Sequence, residues 1–509
     1  MRIALTVTWV ATSGAVWRNC PSRILIAFTG YNHPVNDHNS SIPLARIREA
    51  TAGTEYENRL WLVGGWVRDK VLGLPPKQDI DIVLEGDALS LAWTLHESGI
   101  TSHAPVTYPR FGTAMVAIEG QNVELVTARR ESYNPDSRKP SVVERSTIAE
   151  DALRRDFTIN TLIENVHTGK IEDPLGKAYS DIEAKLIRTP LEPEETFHDD
   201  PLRMLRAVRF SARLGFDIEP ETWRAIVDNA ARLYPPTVSA ERIRDEFVKI
   251  VAVPRPSRGL NQLRESGLLA AFAPELLEMW GCTQNEFHSM PVWEHVLQAV
   301  DNLADYAPNG SQNLKLSVLF HDIGKPRTRS VGEDGRVHFY GHEDIGATMT
   351  RDLMTRLKFP NSDIDKVFTL VAQHMRIGEY KDDQWTDAAV RRFIRAADGN
   401  VEDLFNVHSA DVSALSSDHR DMTRAKLLRE RIQRLESSQP SREIISPLSG
   451  NEIMELIGST GGPIIGEIKD WLTNEVLEGR LTPRDKVGAA AMVVDRWNGA
   501  TPINGSGTP

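Results

Sequence analysis

The stretch from Trp61 to Leu84, WLVGGWVRDKVLGLPPKQDIDIVL, constrains the fold of this chain more than any other. It predicts an apolar strand, Leu60–Val63, that opens into a paired-glycine turn at Gly64 and Gly65. A short helix bearing Arg68 follows, then a second strand carrying Asp79 and Asp81. Glycines remove side chains where backbone must approach a phosphate, and the amides at a helix start favour anions. On a strand, residues two apart share a face, so Asp79 and Asp81 project together while Ile80 and Ile82 face the other way. Paired carboxylates beside a phosphate cradle suit Mg²⁺, which takes oxygen ligands and shares them with substrate phosphates. A lone Gly-Gly turn or Asp-x-Asp is ordinary loop chemistry. Their strand–turn–helix–strand order points to phosphoryl or nucleotidyl transfer.

A length of 509 residues suggests about three domains. From about residue 42 to 190 the pattern is α/β, with further strands at Thr113–Ile118 and Val123–Thr127 and a helix over Ala88–Ser98. From 191 to 285 it turns helical, with segments at Pro201–Leu214, Pro220–Leu233, Ala240–Val251 and Arg258–Ser266. A histidine-rich helical region spans 286–440, and two or three more helices fill 441–497. Residues 1–41 are expected to be a disordered or over-extended N-terminus, and the Gly/Pro/Ser/Thr tail from 498 to 509 to be disordered.

Two cysteines, Cys20 and Cys282, cannot build a disulfide framework, so a reducing cytoplasm is expected. No run of about twenty apolar residues predicts a membrane span. The net charge of −12 argues against indiscriminate nucleic-acid binding, DNA included. RNA contact is expected on a local basic surface after residue 200, at exposed arginines such as Arg242, Arg244 and Arg258.

Two more motifs follow the first. LRRDFTINTL, from Leu153 to Leu162, sets Arg155 where a guanidinium fork would match phosphate oxygens. HDDPLRMLRAVRFSARL, from His198 to Leu214, starts a helix at Pro201 with Asp200 as its cap. Asp200 and Arg203 are three apart and are expected to be neighbours. A carboxylate accepts a hydrogen bond and a guanidinium donates one, so the pair complements cytosine and adenine and rejects guanine and uracil. Arg206 and Arg209 continue the series, each step drifting about 60° around the helix. Arg209 is therefore expected to face phosphate or RNA rather than a base.

These three motifs, in this order over roughly residues 55–265, resemble the class II nucleotidyltransferases, the CCA-adding tRNA nucleotidyltransferases and bacterial poly(A) polymerases. The resemblance implies an α+β molecule: an α/β nucleotidyltransferase head, an all-α neck and body, and an all-α HD domain. It implies that Gly64, Gly65, Arg68 and Arg155 bind the triphosphate and that Asp79 and Asp81 hold the catalytic Mg²⁺. Glu124, in VELVTARRESY, stands where the family keeps a third strand carboxylate. Asp200 and Arg203 would read the base, supported by Arg206 and Arg209. The chain departs from the family pattern at Asp199, where Glu is usual. The implied substrates are tRNA, CTP and ATP. A poly(A) polymerase shares the chemistry, but the C-terminus here lacks the strongly basic extension such enzymes often carry.

A fourth constellation comprises His295, the adjacent pair His321-Asp322 within HDIGKP, and then His342, His374 and Asp411. Imidazole with carboxylate suits a transition or mixed divalent ion such as Ni²⁺ or Mn²⁺. The order resembles the helical HD phosphohydrolases. His295, His321, Asp322 and Asp411 are expected to hold one ion, and His342 with His374 a possible second. His288, His338 and His408 are read as structural. An HD hydrolase with a vestigial nucleotide-sensing front half is a third reading, opposed by the intact carboxylate and Asp/Arg pairs.

Overall fold

A computed structural model describes residues 42–497 apart from 76–78, 135–136, 235–236, 286–287, 289 and 439–443, and the side chains of 131–143 also fall outside the described residues. The expectations for residues 1–41 and for the tail lie outside them.

The head comprises α1 (Ile42–Thr51), β1 (Leu60–Val63), α2 (Gly65–Val71), β2 (Ile80–Leu84), α3 (Ala88–Glu97) and β3 (Val106–Tyr108). It continues through β4 (Thr113–Ile118), β5 (Gln121–Thr127), the hairpin β6 (Arg129–Asn134) and β7 (Ser137–Arg145), α4 (Ile148–Leu153), β8 (Ile163–Asn165), β9 (Ile171–Glu172) and α5 (Ala178–Ala184). Seven strands form one mixed sheet in the order β3-β4-β5-β2-β1-β8-β9. Only the β2–β5 pair in it is parallel, with Asp81 opposite Glu124. Alternation along the strands gives the sheet two different faces. Leu62, Ile80, Ile82 and Leu125 pack against Leu44 and Ile47 of α1 and Leu91 and Leu95 of α3. On the opposite face Ile148 of α4 covers Val63, Val83, Ala128 and Ile163. That cover reaches Val83 near the end of β2 and Ala128 just past β5, leaving the carboxylates of Asp81 and Glu124 at its border.

The chain then becomes helical. The neck holds β10 (Leu186–Ile187), α6 (Pro193–Asp199), α7 (Leu202–Leu214), β11 (Asp217–Ile218), α8 (Pro220–Asn229), α9 (Ala240–Val251), α10 (Ser257–Glu265), α11 (Leu268–Phe272) and α12 (Pro274–Leu277). Ile243, Phe247, Ile250 and Val251 line one stripe of α9, as an amphipathic helix requires. A Cβ on Gly259 of α10 would lie 2.8 Å from Ile250 Cγ2 and 3.0 Å from Ala212 Cβ, so glycine lets α10 seat against α7 and α9.

The histidine-rich region contributes α13 (Val292–Tyr306), α14 (Gln312–Phe320), α15 (Lys325–Thr328), the short strands β12 (Ser330–Val331) and β13 (Val337–His338), and α16 (His342–Arg356). Then come α17 (Asn361–Gln373), α18 (Asp387–Ala396), α19 (Val401–Ala414) and α20 (Thr423–Ser438). The last helices are α21 (Gly450–Ile457), α22 (Pro463–Leu477) and α23 (Lys486–Trp497), packed around Ile453, Ile468 and Val493. One apolar core runs from Phe157 and Phe197 through α7, α9 and α10 to Trp293 and Val407. The neck therefore shares one core with α13, α14, α16, α17 and α19, while α18 and α20 pack around a separate cluster that includes Val390, Phe393, Leu428 and Ile432.

Candidate active site and metal centre

A cleft of about 570 Å³ opens where the head meets the neck, lined by Gly64, Gly65, Asp79, Asp81, Arg155, Asp200, Arg203, Arg206, Arg209 and Lys249 among others. The sequence motifs meet here. Gly64 adopts φ 69° and ψ −132°, a region that side chains avoid. A Cβ there would sit 3.7 Å from Arg155 Nη1, so the bare turn and that guanidinium face one another. Arg155 is held by Asp151, whose Oδ2 accepts from its Nη2 at 3.0 Å.

Asp79 stands one residue ahead of β2 rather than within it, and it is exposed, whereas Asp81 is half-buried on the strand. Glu124, cross-strand partner of Asp81, is pushed above its ordinary pKa, first by burial and then by the Asp81 charge, with Arg129 opposing. Carboxylates set side by side in this way are suited to a shared divalent cation.

Arg68 reaches the cleft, but its guanidinium is fully buried. It donates to Asp69 Oδ1 at 2.8 and 2.5 Å and to Asn160 Oδ1 at 2.6 Å, over the Phe210 ring. Desolvation by burial lowers its pKa against the pull of Asp69. Three of its N–H groups are thus engaged inside the protein, while the side chain still lines the cleft beside Gly64 and Gly65. Asp69 Oδ2 takes Arg213 of α7 at 2.9 Å, so this cluster ties head to neck.

Asp200 and Arg203 both line the cleft, and each is oriented by other groups. Asp200 has extended backbone at the end of α6, and its Oδ1 accepts from the Leu202 amide as a cap does. Arg242 of α9 then grips it with both prongs, at 3.2 and 2.7 Å. Arg203 instead donates to the Arg154 carbonyl at 2.5 Å. Arg206 is clamped by Asp156 at 2.8 and 2.5 Å. Burial works to raise the Asp156 pKa, but Arg206 and Asn160 hold it well below the ordinary value. Arg209 lies 2.7 Å from Glu246 and covers Phe210. Sequence reasoning missed Arg242, Glu246 and Asp156 as positioning groups. The signal was present: Arg242 and Glu246 are four apart, hence on one face of α9. Of the arginines expected on an exposed basic surface, Arg258 is exposed and Arg242 and Arg244 are half-buried; Arg244 bonds the Lys358 carbonyl and Asp245, and Arg258 bonds Phe216 O and Asp217.

The second constellation assembles completely. Asp322 sits at its centre, with Oδ2 3.2 Å from His321 Nε2 and 3.8 Å from His295 Nε2, and Oδ1 3.4 Å from His342 Nε2 and 4.0 Å from His374 Nε2. Asp411 Oδ1 lies 2.9 Å from His295 Nε2 and 3.6 Å from His321 Nε2. The ligand atoms form two groups, His295–His321–Asp411 and Asp322–His342–His374. This shifts Asp322 from the first expected set to a bridging position between both.

These groups fit metal ions. His321, His342 and His374 each turn Nδ1 onto a backbone carbonyl, of Val318, Phe339 and Val371, at 2.6–2.8 Å. A carbonyl only accepts, so each Nδ1 carries the proton and a neutral ring offers its Nε2 lone pair. The Nε2 atoms of His342 and His374 are 3.3 Å apart, two lone pairs facing Asp322 with no proton to share unless a ring is charged. A cation resolves that conflict. Without one, burial opposes charging, but Asp322 and Asp411 push His321 up to about 10, while burial beside His321 and His342 drives His374 down to about 3. Lys325 Nζ adds a charge 2.7 Å from Asp322 Oδ2. A cavity of about 630 Å³ leads to the centre, and His288, His338 and His408, read as structural, line it too.

Family models match in three places: the poly A polymerase head domain over residues 60–188, the probable RNA and SrmB-binding site of polymerase A over 215–279, and the HD domain over 292–436. The chain is 35% identical to the A-adding tRNA nucleotidyltransferase of Deinococcus radiodurans, across 70% of this chain and 80% of that protein. It is 33% identical to the CC-adding tRNA nucleotidyltransferase of Thermus thermophilus, across 71% and 80%. In fold it is similar to the Bacillus stearothermophilus CCA-adding enzyme solved with CTP, with a TM-score of 0.61 over 89% of this chain and 96% of that one, at 24% identity.

Proposed function

Since the chain belongs to the family of tRNA nucleotidyltransferases and poly(A) polymerases, we propose that it adds C, C and A to the 3′ end of tRNA from CTP and ATP. The carrying observation is the single cleft in which the glycine turn, the carboxylates and the arginine array meet. Gly64 and Gly65 admit the triphosphate to bare backbone, and Arg155 pairs with its oxygens. Asp79, Asp81 and Glu124 would hold Mg²⁺, which when bound lowers the pKa of the attacking 3′-hydroxyl and stabilises the leaving pyrophosphate. Asp200 accepts from the base amino group while Arg203 donates to the ring nitrogen. Arg206 and Arg209 frame the pocket, and Arg68 fixes its floor.

Incubating a tRNA that lacks its 3′ CCA with each labelled nucleotide, singly and paired, tests this reading. The expected result is C incorporation from CTP alone, and A only after CC. Asp79→Ala or Asp81→Ala abolishes both additions; near wild-type turnover in either variant rejects the site. The A-adding and CC-adding relatives, alike in coverage, favour a second reading in which this chain performs one part of the addition. Incorporation confined to one nucleotide selects it.

The histidine–aspartate centre supports a second activity, metal-dependent hydrolysis of a phosphate ester such as a 2′,3′-cyclic or 3′-phosphate RNA end. Ni²⁺ or Mn²⁺ suits its imidazoles better than Mg²⁺ does. Metal analysis of the full chain checks it: the expected result is bound divalent ion and hydrolysis restored by Ni²⁺ or Mn²⁺, and neither in His321→Ala/Asp322→Ala.

A further inference from the structure

The head sheet carries an exposed apolar stripe that the cleft does not use. Val106 and Tyr108 of edge strand β3 are two residues apart and share a face. Val106 pairs with Met115, Met115 with Glu124, and Glu124 with Asp81, so all four project to the same side of the sheet. Val106 is 54% exposed, Tyr108 49% and Met115 36%; the apolar cluster under α4 extends to Ala128 just past β5 and includes no residue of β3 or β4. Two arginines flank the stripe. Exposed Arg110 lies over the Phe111 ring, and Arg129 donates to Phe111 O and lies close enough to Glu124 to lower its pKa.

The position of Glu124 says what belongs there. Asp79 and Asp81 line the nucleotide cleft with Gly64 and Arg155, and Glu124 stands beside Asp81 on the side toward β4. In an in-line displacement the nucleophile approaches opposite the leaving pyrophosphate. With the triphosphate on the Gly64 side, the attacking hydroxyl enters on the Glu124 side, over β4 and β3. Strands stand about 4.8 Å apart, so the stripe reaches roughly 10 Å from Glu124. That is room for two or three stacked bases at about 3.4 Å each. Aromatic and apolar side chains beside arginines form the surface that binds single-stranded nucleic acid.

We infer that Val106, Tyr108 and Met115 form the platform on which the last bases of the RNA acceptor strand stack, with Arg110 and Arg129 beside its phosphates. This rests on the nucleotidyl-transfer reading above. A tRNA lacking CCA and carrying 4-thiouridine at its 3′-terminal position is irradiated with the full chain, and the crosslinked peptide is mapped. The expected crosslink falls within residues 106–115; crosslinks found only elsewhere overturn the inference. In steady state, Tyr108→Ala raises the KM for tRNA about fivefold or more, leaves the KM for CTP and ATP within about twofold, and Tyr108→Phe restores it. An unchanged tRNA KM in both Tyr108→Ala and Val106→Ser, or an equal rise for nucleotide and tRNA, also overturns it. Wild-type protein that crosslinks here yet transfers no nucleotide would retire the transfer reading and leave the RNA surface standing.

Discussion

At the residue scale, Asp200 owes its orientation to Arg242 of α9, so under the proposed base reading the choice of base depends partly on a residue outside the motif that displays it. A bidentate guanidinium fixes a carboxylate in plane as well as in place. Arg242→Ala frees Asp200 to turn, so the CTP:UTP and ATP:GTP ratios of kcat/KM should each fall at least about tenfold. Arg242→Lys, a point donor, should recover only part of the loss. Measuring all four nucleotides at fixed tRNA decides it; a raised tRNA KM with unchanged ratios would make Arg242 an RNA contact. Asp156 gives a second test, through pH. Its folded pKa is depressed by Arg206 below the ordinary 3.8, so the unfolded chain takes up its proton first as pH falls. The pair's stabilisation is thus whole at neutral pH and is withdrawn only below about 3.8. Denaturant unfolding between pH 5 and 3 should show Asp156→Asn less stable at the upper end, with the gap to wild type narrowing toward the lower end.

At the scale of elements, close approach explains a glycine that the sequence motif only displays. A Cβ on Gly324, in HDIGKP, would stand 2.2 Å from the His342 carbonyl and 2.7 Å from the Gly346 amide, because α16 passes directly over that turn. Gly324→Ala should push the start of α16, and His342 with it, away from Asp322, at a cost of about 1–3 kcal/mol. Elemental analysis should show reduced bound metal, while nucleotide addition in the distant cleft persists; full metal content would show that α16 can yield. The first motif was legible because alternation, glycine and the carboxylate pair are local signals, and β1, α2 and β2 fall close to their expected bounds. The helices of the neck were legible for the same reason, although Pro220–Leu233 divides into an α-helix and a 3₁₀ turn at Ala230. Strand β3 and the α9 clamps were not. Three residues carry no period, and Arg242 acquires its meaning only when the fold sets α9 against the end of α6. The grouping of Asp322 likewise depends on which way each carboxylate oxygen points.

At the scale of the whole molecule, the shared core makes the metal centre more than a local device. His295, His321, His374 and Asp411 sit on or at the ends of α13, α14, α17 and α19, which pack in the same apolar cluster as α7 and α9. A ligand that binds only the folded state adds stability by mass action, about 2.7 kcal/mol at a hundred times its Kd. That increment must reach every element that unfolds in the same cooperative step. Chelation of divalent ions should therefore lower the melting temperature of one transition that the neck shares with α13, α14, α16, α17 and α19, by a few degrees. The head, joined to α7 through Asp69–Arg213 and Asp156–Arg206, has a separate core between its sheet and α1 and α3. Calorimetry with and without EDTA, repeated on His321→Ala/Asp322→Ala, separates this effect from that of an ion that the head carboxylates would hold. The variant should melt lower than wild type and lose most of its response to EDTA, while Asp79→Ala should keep that response. Equal EDTA shifts in wild type and in the His321/Asp322 variant would show that the stabilising ion sits elsewhere.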